Sequence, residues 1–141
     1  MAKDIYHELV REALEKEGWL ITNDPYHLSD KPAKINYEID LGAEKWLAAE
    51  KGAETIAVEI KSFLRASLAN EFHGILGQYL IYQAGLLRLD PKRVLYLAIP
   101  FNAYEKLQEY LFLLDLIQQF KINLVIFNET NSELLQWQRI D

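Results

Sequence analysis

The sequence predicts an α/β fold in which a central mixed β-sheet has helices on both faces. The two arms within residues 38–63 alternate apolar and polar side chains with period two, as an antiparallel hairpin with one solvent-exposed face does. Residues 93–99 and 123–127 are nearly all apolar and β-rich, which is typical of interior strands covered on both faces. Helical periodicity precedes each of these two segments, so each strand is expected to follow a helical crossover.

The chain begins with a predicted helix. Asp4 is the expected N-cap, apolar residues at helical spacing extend the helix to about Glu17, and Gly18 ends it. Residues 19–22 are predicted to form a short strand. Residues 26–34 are polar and contain a proline, so we expect a loop there.

The hairpin is predicted to begin near Ile35 and to end at residues 62–63. Its alternation places Ile39 and Leu41 on one face, while Asp40 points to the other face.

The polar face of the hairpin carries the strongest chemical signal. Asp40, Glu59 and Lys61 share this face if the two arms pair. Two carboxylates and a lysine on neighbouring strands suit a divalent metal ion and a phosphodiester. The alternative interpretation is a half-exposed hairpin whose charged face is simply solvated.

Two hairpin registers are compatible with the sequence. A turn centred between residues 50 and 51 would place Gly42 opposite Glu59 and keep Asp40 within reach of the same ion. A turn one residue later would place Glu44 opposite Glu59. A β-bulge at Gly42 or Gly52 would change either register.

A second helix is predicted from Leu68 to about Leu87. It carries Gln78 and Tyr82 one turn apart on a single side, where they could orient a phosphate, a water or a base. Ordinary helix packing is the alternative. A third helix is predicted to run from Pro100 through residue 120, and residues 133–137 are expected to add an edge strand.

The polar side of the first helix provides accessory candidates. Glu8 and Glu12 lie one turn apart, so one of them could reach a site beneath the helix. A solvated charged face is the alternative, and His7 is interpreted in the same way.

Composition limits the classes of function. With 141 residues, half of them hydrophobic, the chain is expected to form a single domain over residues 1–141. It has no cysteine and three histidines, which excludes disulfides and disfavours a protein-ligated zinc site. The net charge of -6 argues against tight autonomous binding to nucleic acid. No signal peptide or membrane span is predicted, so we expect a soluble, cytoplasmic protein without membrane contact.

The order of helix, D…E-x-K strands and crossover helix resembles the restriction-endonuclease-like, PD-(D/E)XK fold. In that comparison Asp40, Glu59 and Lys61 take the catalytic positions, and Gln78 with Tyr82 resembles the Q-x-x-x-Y motif of RecB-type members. At family level the chain resembles the XisH family, the cyanobacterial fdxN element excision controlling factors. The segments that carry this resemblance are residues 4–10, 18–25, 39–44, 57–63 and 72–79.

The resemblance implies a role in removing a DNA element during heterocyst development. The expected partners are DNA, a site-specific recombinase and a small XisI-like companion protein, and a homodimer is an additional possibility. As a nuclease, the chain would hold Mg²⁺ or Mn²⁺ with Asp40, Glu59 and the Ile60 carbonyl. Lys61 would act on the attacking water, and Gln78 would position the substrate. The alternative is a catalytically silent adaptor that binds XisI or the recombinase.

Overall fold

The computed structural model describes residues 4–49, 51–64 and 67–141. The described chain contains four helices and eight strands. In chain order they are α1 (His7–Lys16), β1 (Leu20–Asn23), β2 (Tyr26–Asp30), β3 (Ile35–Ile39), β4 (Leu41–Ala48), β5 (Gly52–Ile60), α2 (Leu68–Leu89), β6 (Val94–Pro100), α3 (Phe101–Leu107), α4 (Leu111–Gln119), β7 (Leu124–Asn128) and β8 (Glu133–Gln138).

Six strands form a mixed sheet in the order β1-β4-β5-β6-β7-β8. The pairs β1/β4, β4/β5 and β7/β8 are antiparallel, while β5/β6 and β6/β7 are parallel. The two parallel connections run through α2 and through α3 with α4. The predicted mixed sheet with two helical crossovers is therefore confirmed.

The hydrophobic core has one part on each face of this sheet. On one face, α1 contributes Val10 and Leu14, which pack against Leu41 and Val58. On the other face, α2, α3 and α4 cover the sheet together with residues from β2 and β3. Helices thus flank both faces, as predicted. None of the helices in the described segments is long and apolar enough to cross a bilayer.

Residues 26–34 were predicted to be a loop, and this prediction is wrong. Tyr26–Asp30 is β2, and it pairs with β3 in a separate two-stranded antiparallel sheet. Leu28 is fully buried between the exposed His27 and Ser29, so the segment has the period-two burial of a strand. Because most of its residues are polar, the sequence of the segment does not show this alternation.

The first arm of the predicted hairpin is interrupted at Asp40. Ile39 ends β3 and packs in the core on the α2 side, whereas Leu41 begins β4 and packs in the core on the α1 side. The prediction that both residues share a face is wrong. The chain passes from the small sheet to the large sheet at this point, and the alternation does not continue through the junction.

Both predicted registers of the hairpin are also wrong. Gly42 lies opposite Ala57, and Glu44 lies opposite Thr55. A register shift between Trp46 and Ala48 brings Ala48 opposite Gly52. This local shift changes which residues pair across the hairpin. The alternation of apolar and polar residues does not predict such a shift. The predicted turn includes Glu50, which lies outside the described residues.

The region predicted as one helix from Pro100 to residue 120 forms two helices, α3 and α4. Tyr110 has φ of -110° and ψ of 77°, which interrupts the helical backbone. Leu107 and Leu113 are both buried although they are six residues apart, a spacing that does not repeat on a continuous helix. The interruption therefore brings both leucines to the core.

Helix α1 begins at His7, later than the predicted cap at Asp4. Asp4 Oδ1 accepts a hydrogen bond from the Tyr6 amide, and Asp4 Oδ2 accepts one from the Ser62 amide. Asp4 therefore links the entry of α1 to the segment that follows β5.

Helix α2 packs closely against the small sheet at Gly85. A Cβ atom at this position would lie 2.5 Å from Leu28 Cδ2 and 3.3 Å from Leu28 Cγ. By contrast, a Cβ at Gly77 of the same helix would meet nothing within 4 Å. The close contact at Gly85 lets β2 and β3 lie directly on α2.

These two glycines provide a matched test of the packing. Gly85→Ala should lower the free energy of unfolding by about 1–3 kcal/mol because the added methyl group overpacks against Leu28. Gly77→Ala should raise it by about 0.5–1 kcal/mol because alanine favours the helix and nothing opposes it. Urea unfolding of both variants measures these effects. Equal changes in the two variants would contradict the close contact.

Candidate functional site

A cavity of about 310 Å³ lies where the Asp40 junction, the end of β5, the start of α1 and the middle of α2 meet. It is called the carboxylate cavity below. Its lining residues are Asp4, His7, Asp24, Pro25, Glu38, Ile39, Asp40, Glu59, Ile60, Lys61, Gln78 and Tyr82. The structure thus brings together Asp40, Glu59, Ile60, Lys61, Gln78 and Tyr82, all of which were selected from the sequence.

Asp40 and Glu59 are joined through the backbone of both strands. The Asp40 amide donates to Glu59 Oε1 at 3.2 Å, and the Ile60 amide donates to Asp40 Oδ2 at 2.8 Å. Leu41 pairs with Val58 in the ladder, so Asp40 comes level with Glu59. This arrangement fixes the two carboxylates side by side at the ends of neighbouring strands.

Lys61 lies next to this pair. Its Nζ atom is 3.3 Å from Glu59 Oε2, and its side chain is 28% exposed compared with 10% for Glu59. The lysine therefore contacts a buried carboxylate while keeping access to solvent. An ammonium group in this position can also reach a ligand that enters the cavity.

Burial raises the pKa of Glu59 to about 8, and the neighbouring Asp40 carboxylate adds to the shift. Burial raises the pKa of Asp40 as well, while the hydrogen bond from the Ile60 amide opposes this change. Two ionised carboxylates so close together in a buried site are mutually destabilising. A proton or a cation relieves that cost.

Gln78 and Tyr82 form a second pair on the wall of the cavity. Gln78 Nε2 donates to the Tyr82 hydroxyl at 2.8 Å. Burial raises the pKa of Tyr82, and the nearby Glu59 and Asp40 carboxylates add to the effect. Tyr82 therefore stays neutral and holds the amide of Gln78 at the cavity.

The sequence analysis missed His7 as a residue of the cavity. His7 is 3% exposed, which corrects its assignment to a solvated face. Its Nε2 atom lies 2.7 Å from Asp24 Oδ1, and Arg11 Nη1 donates to Asp24 Oδ2 at 2.6 Å. The Nδ1 atom is buried and has no hydrogen-bond partner within the described chain.

The comparisons with known proteins place the chain in a family. The model of the XisH family, described as XisH protein, matches residues 1–135. The crystal structure of an XisH family protein from Nostoc punctiforme is 39% identical, covers 96% of this chain and 100% of its own, and gives a TM-score of 0.85. The chain belongs to the XisH family.

A second solved structure supports the assignment. The fdxN element excision controlling factor protein from Anabaena variabilis is 36% identical, covers 97% of this chain and 100% of its own, and also gives a TM-score of 0.85. No curated protein matches the sequence.

The accessory glutamates of this XisH-family chain do not line the carboxylate cavity. Glu12 accepts a hydrogen bond from Ser132 Oγ, away from the cavity. Glu8 is exposed and brings a carboxylate oxygen within 4.8 Å of ligand atoms of His7 and Asp24. Asp24 already contacts Arg11 and His7, so these contacts account for the cluster without a metal ion.

The charges of the cavity suit a divalent cation. Five carboxylates line it, from Asp4, Asp24, Glu38, Asp40 and Glu59. Lys61 is the one lysine or arginine among the described lining residues. Magnesium is usually held by one or two carboxylates, substrate oxygens and several waters, so Asp40 and Glu59 fit the ion.

The raised pKa of Glu59 predicts a pH-dependent stability in metal-free solution. The folded chain retains the Glu59 proton up to about pH 8, whereas the ordinary value is 4.5. The folded state therefore binds more protons in this window, and stability should fall as pH rises through it, by up to about 1.4 kcal/mol per pH unit. Unfolding in urea with EDTA across this range measures the slope.

The Glu59→Gln variant should lose most of this slope because it removes the titrating group. The exposed Glu109→Gln change serves as the matched control and should keep the native slope. A Glu59→Gln profile parallel to the native profile would contradict the assignment.

Proposed function

We propose that this chain is a metal-dependent DNA endonuclease-like factor that acts in, or controls, the site-specific excision of a DNA element. The observation that carries the proposal is the pairing of Asp40 with Glu59 beside Lys61 in one cavity. In residue composition this set resembles the site of PD-(D/E)XK nucleases, which supports the proposal. A restriction-endonuclease-like fold is part of the proposal.

Asp40 and Glu59 would hold Mg²⁺, with Mn²⁺ as a substitute, and the Ile60 carbonyl is a further protein ligand in the proposal. The ion, when bound, supplies charge neutralisation and polarisation at a phosphate oxygen. His7 lines the same cavity, and its buried Nδ1 atom has no hydrogen-bond partner within the described residues.

Lys61 would act directly on the reacting groups. Its ammonium group can orient the attacking water and offset the negative charge that develops on the phosphate oxygens. Gln78, which Tyr82 holds in place, would position the substrate by hydrogen bonding. In hydrolysis, a bond forms between water oxygen and phosphorus, and the bond from phosphorus to one ester oxygen breaks.

The link to excision comes from relatives. The similar protein from Anabaena variabilis is named an fdxN element excision controlling factor. For the present chain, we correspondingly propose that it acts on DNA at the ends of an excised element. The same proposal includes excision of the element during heterocyst development in a cyanobacterium.

Substitutions in the cavity test the nuclease proposal. Asp40→Asn, Glu59→Gln and Lys61→Met should each lower Mg²⁺-dependent cleavage of supercoiled and branched DNA by at least about 10²-fold. The two carboxylate variants should also lose Mg²⁺ binding in calorimetry, whereas Lys61→Met should retain it, because the lysine is not a ligand.

Glu44→Gln is the matched control because Glu44 lies on β4, opposite Thr55 and outside the carboxylate cavity. It should cleave DNA at the native rate. Native-like cleavage by the folded Asp40→Asn and Glu59→Gln variants would overturn the proposal.

Metal binding should also release protons. The pKa of Glu59 near 8 means that the group is mostly protonated at pH 7, and a metal ligand must be deprotonated. Mg²⁺ binding at pH 7 should therefore release close to one proton, and affinity should rise with pH. Calorimetry in buffers of different ionisation enthalpy measures this release. Binding without proton release would contradict the combination of a protonated Glu59 and a ligand role for it.

The second candidate function is a catalytically silent adaptor that binds an XisI-like companion or the recombinase. The net charge of -6 favours it because tight binding to DNA depends on phosphate neutralisation. Leu111 and Phe112, each 72% exposed, provide neighbouring apolar surface at the start of α4. The adaptor proposal predicts no Mg²⁺-dependent cleavage by the native chain, alone or with these partners. Loss of partner binding in a Leu111→Ser, Phe112→Ser double variant would support it.

A further inference from the structure

A second cavity, of about 380 Å³, adjoins the carboxylate cavity along α2. It is called the apolar cavity below. Its lining residues are Tyr37, Gly74, Gly77, Gln78, Ile81 and Tyr82. Gln78 and Tyr82 line both cavities, so the two spaces share a wall. The volume lies in the range of small-molecule pockets.

The two cavities differ sharply in charge. The carboxylate cavity contains five carboxylates and Lys61, while the described lining of the apolar cavity contains no charged side chain. A phosphate group has no counter-ion in the apolar cavity. A flat and uncharged group that is covalently linked to a phosphate would match both spaces at once.

The walls of the apolar cavity are suited to a flat ring. Tyr37 is 39% exposed, and its ring meets the buried Tyr82 ring edge-on with centroids 5.8 Å apart. Ile81 is 47% exposed on the next turn of α2. Cβ atoms built at Gly74 and Gly77 would meet nothing within 4 Å, so the helix backbone itself is open to the cavity.

We propose that the apolar cavity receives an unpaired base of a nucleic acid strand whose phosphodiester lies at Asp40 and Glu59. This inference rests on the proposed function and names the class of substrate. The Tyr37 ring and Ile81 would contact the faces and edge of the base, and the Gln78 amide would lie between the base and the phosphate. Bases stack on aromatic side chains with little dependence on sequence.

The inference restricts the substrate to single-stranded, branched or locally opened DNA. In an intact duplex the bases are paired and stacked inside the helix, and filling the cavity would require the base to leave the stack, at a cost of a few kcal/mol per base. A strand without a pairing partner avoids that cost. Uncharged contacts to the base also supply affinity that this acidic chain does not gain from phosphates.

Filling the apolar cavity provides the test. Gly77→Leu should place an isobutyl group in the cavity without a clash, because the added Cβ has open space. The matched control is Ala84→Leu, an exposed position two turns further along the same helix and outside the apolar cavity. Both variants should unfold at or above the native midpoint temperature.

Binding is measured by fluorescence anisotropy with a labelled oligothymidylate strand, a blunt duplex of equal length and an abasic strand of equal length, with Ca²⁺ in place of Mg²⁺. We expect the native chain to bind the single strand at least about tenfold more tightly than the duplex. Gly77→Leu should lose at least about tenfold on the single strand and nothing on the abasic strand. Ala84→Leu should match the native chain on all three.

Failure of this inference differs from failure of the proposed function. Equal affinity of the native chain for all three probes, or no binding of the single strand, overturns the base site. An equal loss for Gly77→Leu on the normal and abasic strands also overturns it. If the expected binding pattern is found while Mg²⁺-dependent cleavage is absent, the base site stands and the nuclease proposal falls. If DNA is cleaved with no effect of Gly77→Leu on binding or rate, the nuclease proposal stands alone.

Discussion

The site depends on the hydrogen bonds between Asp40 and the end of β5. The Asp40 amide donates to the Glu59 side chain, and the Asp40 side chain accepts from the Ile60 amide. Asp40 is also the residue at which the chain passes from the small sheet to the large sheet. The same residue therefore joins the two sheets and places two carboxylates in one cavity.

This arrangement is costly for the folded chain. Burying a carboxylate requires compensation by hydrogen bonds or opposite charge, and here two carboxylates share one nearby lysine. The raised pKa of Glu59 is the expected response to the remaining charge. Packing alone has no need of such a pair, whereas a divalent cation can be held by one. Perturbed carboxylates in a cavity are accordingly a functional signal.

Helix α2 contacts both sheets and also carries residues of the carboxylate cavity. Gly85 permits close contact with Leu28 of the small sheet, and Tyr79 donates to the Leu95 carbonyl beneath the helix. Gln78, one residue before Tyr79, lines both cavities. Side chains of this one helix therefore line both the carboxylate cavity and the apolar cavity.

The sequence by itself determined the mixed sheet and the two crossovers, because periodicity and spacing are local properties of the chain. It also selected Asp40, Glu59 and Lys61 by residue type, although neither register predicted for their strands is the one observed. The burial of His7 could have been predicted from the sequence, since His7 lies three residues before the apolar Val10 on the same helix face. Only the tertiary structure decided the register, the second sheet and the apolar cavity. These features depend on a bulge beside Gly52 and on contacts between segments distant in the chain, where long-range packing overrides local pattern.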